Sequence, residues 1–160
     1  MRNWKSKLVL AGVVAACAAG GLAVGIVWAT PPVDFTATNI VGPITLDEFH
    51  TGAEIKDWGI MMRTRDWSDV YITHLKIAPG GHGGWHLHPG PSIITVRAGT
   101  ATFYDECDNF VRHQYAAGTG FVEDTGCVHL LSNEGTVDLE VVVVQIVPFG
   151  APRRIDAPAP

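Results

Sequence analysis

Histidines are the residues of this chain best suited to chemistry, and several of the seven are clustered. His82, His86 and His88 fall within seven residues, and His129 begins a later strand-like run. Because residues i and i+2 of a β-strand point to the same face, His86 and His88 aim their imidazoles into one space while Leu87 faces away. Two nitrogens placed in this way can chelate a metal ion at about 2.1 Å. An HxH pair alone is a weak signal, so its surroundings decide its meaning.

The elements around this pair are predicted to be short strands. The chain after residue 30 shows no sustained helical periodicity, and its β-branched and aromatic runs alternate with glycine- and proline-rich turns. That organisation is typical of an all-β sandwich or barrel. The predicted strands cover residues 70–77, 92–98, 101–104, 120–122, 128–132 and 139–148. The first of them is expected to end at Pro79-Gly80-Gly81.

Four regions follow from this organisation. They are a signal or membrane-anchor segment at residues 1–29, a linker and N-terminal barrel extension at 30–68, the barrel itself at 69–150, and an extended C-terminal tail at 151–160. The tail ends in Ala-Pro-Ala-Pro, which favours an extended surface segment.

The N-terminus indicates export. Three basic residues precede an uncharged apolar run at residues 8–29, which is long enough to cross a bilayer as a helix. The segment could remain as an anchor in the membrane, or be cleaved after Ala29, or carry a lipid on Cys17. The lipid alternative is the weaker one, since the apolar run continues well past Cys17. All three place the barrel outside the cytoplasm, anchored to the membrane or secreted.

The charge of the chain limits its possible partners, and its cysteines suggest a disulfide. Eight of the 11 basic and all 16 acidic residues follow Thr30, so this part of the chain has a net charge of −8, which disfavours nucleic-acid binding. Cys107 and Cys127 are the only cysteines of the exported part. An oxidising compartment favours a disulfide between them, with two separate buried thiols as the alternative.

A longer spacing pattern surrounds the HxH pair. Gly80 is followed after five residues by His86, and His88 is followed after three residues by Ser92 and after six more by Gly99. This spacing resembles the first motif of the cupin superfamily. In that motif a glutamate occupies the position that Ser92 holds here.

The second cupin motif is also matched. Gly118, Asp124, Gly126, His129 and Asn133 follow one another at its spacing, with Asp124 in place of a proline. The segment at residues 84–91 and the Arg-Ile-Asp-Ala-Pro-Ala-Pro end further resemble small, exported, single-domain bacterial cupins of the cupin-2 type.

The resemblance implies a cupin double-stranded β-helix, that is, a jelly-roll barrel, here preceded by an N-terminal hydrophobic helix. It also implies that His86, His88 and His129 bind one divalent transition metal. Iron, zinc, manganese, nickel and copper remain open. Because a serine hydroxyl is a poor ligand, Ser92 is expected beside the site, which would leave the ion its full +2 charge.

Other residues are weaker candidates for the pocket. His82 could be a further ligand or a proton shuttle, although a solvated loop histidine is the simpler interpretation. Trp85 could line the mouth or pack the barrel. Tyr104 and Gln145 lie on strands that could reach the cavity and orient a ligand or move a proton.

Two functions are compatible with these features. One is a metal-dependent enzyme with dioxygenase-like or Lewis-acid chemistry on a small chelating substrate. The other is a non-catalytic module that binds a metal or a small ligand at the cell envelope. The open three-histidine site favours the enzyme, whereas the missing glutamate and the lack of an obvious general base favour the module. Pairing into a homodimer is a habit of the family.

Overall fold

The computed structural model describes residues 29–160, which form an almost entirely β-stranded domain. A single turn of 3-10 helix occupies Glu106–Asp108. The twelve strands are β1 (Val33–Leu46), β2 (His50–Ile55), β3 (Trp58–Arg63), β4 (Ser68–His82), β5 (His86–Leu87), β6 (Ser92–Ala98), β7 (Thr100–Asp105), β8 (His113–Ala116), β9 (Gly120–Glu123), β10 (His129–Ser132), β11 (Leu139–Pro148) and β12 (Ile155–Asp156).

Ten of these strands form one antiparallel, nearly closed barrel. On one side the neighbours run β1-β4-β11-β6-β9, and on the other β8-β7-β10-β5-β12. The two sides join where Ser132 of β10 pairs with His82 of β4. β2 and β3 form a separate hairpin, whose large apolar side chains are mostly exposed.

Strict alternation along the longest strands builds the core. In β11 the buried residues are Leu139, Val141, Val143, Gln145 and Val147, and the residues between them are only half-buried. Each fully buried aliphatic side chain of this kind stabilises the fold by roughly 1.5–3 kcal/mol. Because residues two apart share a face, the same alternation that buries the valines also turns Gln145 inward.

The all-β barrel predicted from the sequence is confirmed, and each of the six predicted strands is present. The predicted end of the first strand at Pro79 is wrong, because β4 continues to His82. This extension is held by pairing with β1 and β10, which supplies hydrogen-bond partners that local turn propensity cannot reveal. β1, β8 and the β2–β3 hairpin were not predicted as strands.

The predicted export segment, including Cys17 and the expected N-terminal helix, falls almost wholly on residues 1–28, outside the described residues. Within residues 29–160 no helix has the length and apolarity needed to cross a membrane. The tail is extended, as expected, but it is not a free surface segment. β12 pairs with β5, and Ala157 is buried and exchanges backbone hydrogen bonds with Thr30 and Trp85.

Candidate metal centre

Two paired strands bring three histidines together. His86 of β5 lies directly opposite His129 of β10, and His88 follows two residues later on the same face as His86. Each imidazole offers one nitrogen, and these three nitrogens lie within 4.8 Å of one another. All three residues are buried, His129 almost completely. The pattern that singled out His86 and His88 in the sequence therefore corresponds to a real three-histidine cluster.

The other nitrogen of each ring is held by the backbone. Nδ1 of His86 lies 2.7 Å from the carbonyl of Gly84, Nδ1 of His88 2.7 Å from that of Arg153, and Nδ1 of His129 2.9 Å from that of Cys127. Since a carbonyl only accepts hydrogen bonds, each Nδ1 carries the proton and donates it. Each Nε2 therefore keeps its lone pair and faces the cluster. This orientation of rings by backbone acceptors is typical of metal-binding histidines.

The cluster also contains an unsatisfied atom. Nε2 of His129 is buried and has no hydrogen-bond partner within the described part of the chain. A buried polar atom without a partner costs about 1–3 kcal/mol. Coordination to a metal ion would remove this cost, so the residues present fit a bound ion.

Burial favours the neutral form of His86 and His129. Burial first, then electrostatic interaction with His129, Arg154 and His88, lowers the pKa of His86 to about 2. Burial likewise lowers the pKa of His129, against the opposing effect of the Glu123 carboxylate. Neutral imidazole is the form that binds metals, so no proton has to leave either ring at neutral pH.

A carboxylate lies beside the cluster, although the sequence motif lacks one. Oε2 of Glu123 is 3.4 Å from Nε2 of His88 and 3.7 Å from Nε2 of His129, and Glu123 is only 3% exposed. Glu123 sits on β9 directly opposite Ser92 of β6. Side chains that face one another across a ladder project from the same face, so a glutamate at either position can reach the same centre.

This arrangement corrects the expectation drawn from Ser92. Ser92 is fully buried, and its hydroxyl accepts a hydrogen bond from Gln145 at 3.3 Å. The sequence motif placed no carboxylate beside the three imidazoles, and the cross-strand neighbour of Ser92 brings one. An ion held by all four side chains would keep a net charge of +1 rather than +2.

The cluster opens into a small cavity of about 230 Å³ inside the barrel. Its walls are mainly apolar, formed by Phe35, Ala37, Leu75, Ile94, Leu131 and Val143. His86, His88, Glu123, Gln145 and two arginines of the tail supply most of its polar lining. The volume lies just below the usual range for small-molecule sites, so a ligand would have to be small.

Gln145 lines this cavity, whereas Ser92 lies behind it, bonded to Gln145, and does not line the cavity. Gln145 is 2% exposed, donates to the carbonyl of Arg153 as well as to Ser92, and accepts from the Arg153 guanidinium at 3.1 Å. Its amide thus fixes the backbone carbonyl that in turn orients His88. Gln145 was predicted as a pocket residue, and the structure places it in the cavity wall.

The remaining pocket candidates lie elsewhere among the described residues. His82 accepts a hydrogen bond from the backbone of Gly84 through Nδ1 and does not line the cavity. Trp85 packs edge-on against Phe110. Tyr104 donates to Glu134 at 2.6 Å on the outside of the barrel.

Cys107 and Cys127 form a disulfide. They also group with Asp105 in a geometry that could hold a metal, but the two sulfur atoms are already used in the covalent bond. Because the carbonyl of Cys127 accepts the hydrogen bond from His129, the disulfide anchors the strand end that positions this histidine.

The contribution of the tail was not predicted. Arg153 and Arg154 line the cavity, and the Arg153 carbonyl orients His88. Gly84 allows this close packing: its φ is +73°, and a Cβ there would lie 2.2 Å from the carbonyl of Thr30. Any other residue at position 84 would push Thr30 and the tail away from the histidines.

Comparison with known proteins agrees with the barrel. Residues 73–145 match the Cupin_2 family model, described as a cupin domain. No match is found among curated proteins. Among solved structures, the polyketide cyclase RemF from Streptomyces resistomycificus is similar over 81% of this chain and 77% of its own, with 15% identity and a TM-score of 0.55. At this identity the likeness concerns the fold.

Two further structures are similar over a smaller share of this chain and with lower TM-scores. A double-stranded β-helix protein from Klebsiella pneumoniae is 24% identical over 71% of this chain and 86% of its own, with a TM-score of 0.46. A conserved protein of unknown function from Streptococcus pyogenes is 24% identical over 50% of this chain, with a TM-score of 0.45. The alignment spans 66% of the Streptococcus chain, just under two thirds of its length.

Proposed function

Because this chain belongs to the cupin superfamily, we propose that its barrel binds one divalent transition-metal ion through His86, His88, His129 and Glu123. The observation that carries this proposal is the orientation of the imidazoles. Each Nδ1 donates to a backbone carbonyl, so three Nε2 lone pairs converge, and that of His129 has no hydrogen-bond partner within residues 29–160. Nothing but a cation or a hydrogen-bond donor satisfies such a set.

The donor set narrows the choice of ion. Three imidazoles suit zinc, copper, iron and nickel, and an added carboxylate extends this range towards manganese. Such an ion supplies Lewis-acid chemistry when bound and, where it is redox-active, oxidative chemistry as well. The apolar side chains of the cavity wall disfavour bound water. Three backbone carbonyls hold the imidazoles in one orientation.

We propose an enzymatic role at this site, with a small ligand that reaches the ion through the cavity. The open side of the cluster faces this cavity, which leaves room for a substrate beside the four protein donors. One observation favours the alternative of a non-catalytic binding module. Within residues 29–160, the titratable groups lining the cavity are the candidate ligands and two arginines, so no free carboxylate or histidine is left to serve as a general base.

We propose that the barrel works outside the cytoplasm, at the cell envelope. The apolar N-terminal segment supports this location, and so does the Cys107–Cys127 disulfide, since structural disulfides persist in oxidising compartments. Alkylation of free thiols in the protein recovered from cells tests it. Reduced cysteines in the native protein would contradict an exported location.

Elemental analysis of the purified protein tests the metal site. We expect about one equivalent of a transition metal per chain, and loss of that metal in His129→Ala. His50→Ala is the matched control, because His50 is exposed on the β2–β3 hairpin and should leave the metal content unchanged. A wild-type protein without metal after expression in metal-replete medium would refute the proposal. Oxygen uptake and turnover with chelating substrates then distinguish the enzyme from the binding module.

A further inference from the structure

Two arginines of the tail, Arg153 and Arg154, line the cavity. Arg153 is half-buried, and its guanidinium donates to Asn39 at 2.6 Å, to Thr73 at 2.6 Å and to Gln145 at 3.1 Å, all of them neutral acceptors. It lies 4.4 Å above the ring of Tyr71. Among the described residues it forms no ion pair with a carboxylate.

Arg154 is also incompletely paired. Its Nε donates to Asp156, outside the cavity lining, and its Nη2 is buried without a hydrogen-bond partner in the described part of the chain. The side chain lines the cavity together with His86 and His88 and is 26% exposed, so its position is set by the fold rather than by solvent. Its charge also acts on His86, one of several effects that lower the pKa of that ring.

We infer that the cavity binds a small organic carboxylate, with its anionic group on the guanidinium of Arg154 and its apolar body against the barrel wall. A carboxylate accepts two parallel hydrogen bonds from a guanidinium, and such charge-assisted bonds are among the strongest in proteins. It would give the Arg154 guanidinium a second anionic partner beside Asp156, next to the Arg153 guanidinium, which has no carboxylate partner among the described residues. The apolar wall selects against ligands that are polar throughout, because burying their other groups without partners is costly.

This inference rests on the proposed function, since the metal would provide the second polar contact of the ligand. Arg154 itself, however, needs no metal to bind an anion. The two proposals can therefore fail separately, and titrations of both metal-loaded and chelator-stripped protein distinguish them.

Calorimetric titration with benzoate and with the neutral benzamide is the primary experiment. We expect benzoate to bind at least about tenfold more tightly than benzamide. Arg154→Gln should weaken benzoate by about the same factor and leave benzamide unchanged, and Arg154→Lys should recover part of the loss. Arg97→Gln is the matched control, because Arg97 is exposed on β6 and does not line the cavity. Equal affinities for the two probes would overturn the inference.

Asp156→Asn separates the guanidinium from the integrity of the tail. This variant removes the charged partner of Arg154 but leaves the backbone pairing of β12 possible, so benzoate affinity should be kept or increased. A loss of benzoate affinity equal to that of Arg154→Gln would refute the role of the Arg154 guanidinium in binding the anion, since tail packing would then explain both effects.

Comparing the titrations of metal-loaded and chelator-stripped protein shows which of the two proposals fails. Arg154-dependent benzoate binding in a protein that never takes up metal would uphold this inference and refute the metal site. Benzoate binding that requires the metal and ignores Arg154→Gln would do the reverse.

Discussion

Glu123→Gln is the most informative single change, because it removes a charge from the candidate metal site without removing volume. The carboxylate oxygen lies 3.4 Å from Nε2 of His88 and 3.7 Å from Nε2 of His129. Among the described residues, these two histidines are the basic side chains within 4.0 Å of the carboxylate. Glu123 is thus a buried carboxyl group beside the point where the imidazole nitrogens converge, and a bound cation would compensate its charge.

The expected magnitude follows from this burial. Breaking a buried ion pair by removing one partner costs about 3–5 kcal/mol. If Glu123 compensates the ion, metal affinity should fall by about 100- to 4,000-fold, since 1.4 kcal/mol corresponds to a factor of ten. The metal-free protein should change in the opposite direction. Its free energy of unfolding should stay the same or rise, because an uncompensated buried charge is lost.

Competition titration with a chromophoric chelator measures the affinity, and urea unfolding of the stripped protein measures the stability. Glu54→Gln is the control for the chemical change, because Glu54 is exposed on β2. A second test exchanges the two facing residues. Cβ atoms at directly opposite positions lie about 4.5–5.5 Å apart, so a glutamate at position 92 can reach the same centre. The double variant Ser92→Glu with Glu123→Ser should therefore recover most of the lost affinity.

Two results would refute this reasoning. If Glu123→Gln binds metal as tightly as the wild type, the carboxylate does not contact the ion. If the exchanged variant folds, as judged by its circular dichroism and urea midpoint, but fails to recover affinity, then positions 92 and 123 are not equivalent.

Three further predictions concern the surroundings of the site. Truncation after Pro152 removes the carbonyl that orients one ligand histidine and should lower metal affinity by about 10- to 100-fold in the chelator assay, whereas truncation after Ala157 should not. Cys107→Ser should cost about 3 kcal/mol of unfolding free energy in urea, from a sequence separation of 20, and an unchanged midpoint would contradict it. In the metal-free protein, the folded-state pKa of His86 is about 2 against 6.5 for an unperturbed histidine, so below pH 6.5 the unfolded state binds more protons. Stability should therefore fall as the pH falls, by about 2 kcal/mol between pH 7 and pH 5, and urea unfolding that is independent of pH would refute this.

The fold and the three histidines were predictable because their signals are local. His86 and His88 are two residues apart, and alternation alone places them on one face. The cupin spacing then connected them to His129. Gln145 was reachable by the same rule, since it shares the buried face of β11 with Val141 and Val143.

The contributions of the chain ends were not predictable in this way. β1 reads as a mixed, polar segment, and it forms a strand because it pairs along most of β4. The tail looks like a free extended end, yet its backbone orients a ligand histidine and its arginines line the cavity. These roles depend on contacts between residues at least 22 positions apart, which composition and periodicity do not encode.

Glu123 shows the same limit at the centre of the site. The motif places the carboxylate ligand at one sequence position, which is Ser92 here. Metal binding depends instead on where the carboxylate oxygen lies in space. In an antiparallel sheet, side chains at two directly opposite positions of neighbouring strands can reach the same point, and the register decides which positions are opposite. The register of β6 and β9 pairs residues 92 and 123, so a serine at one and a glutamate at the other still place a carboxylate beside the histidines. Glu123 thus places a carboxylate where a glutamate at position 92 would also have reached, and the absence of a glutamate from the motif does not by itself make the site neutral.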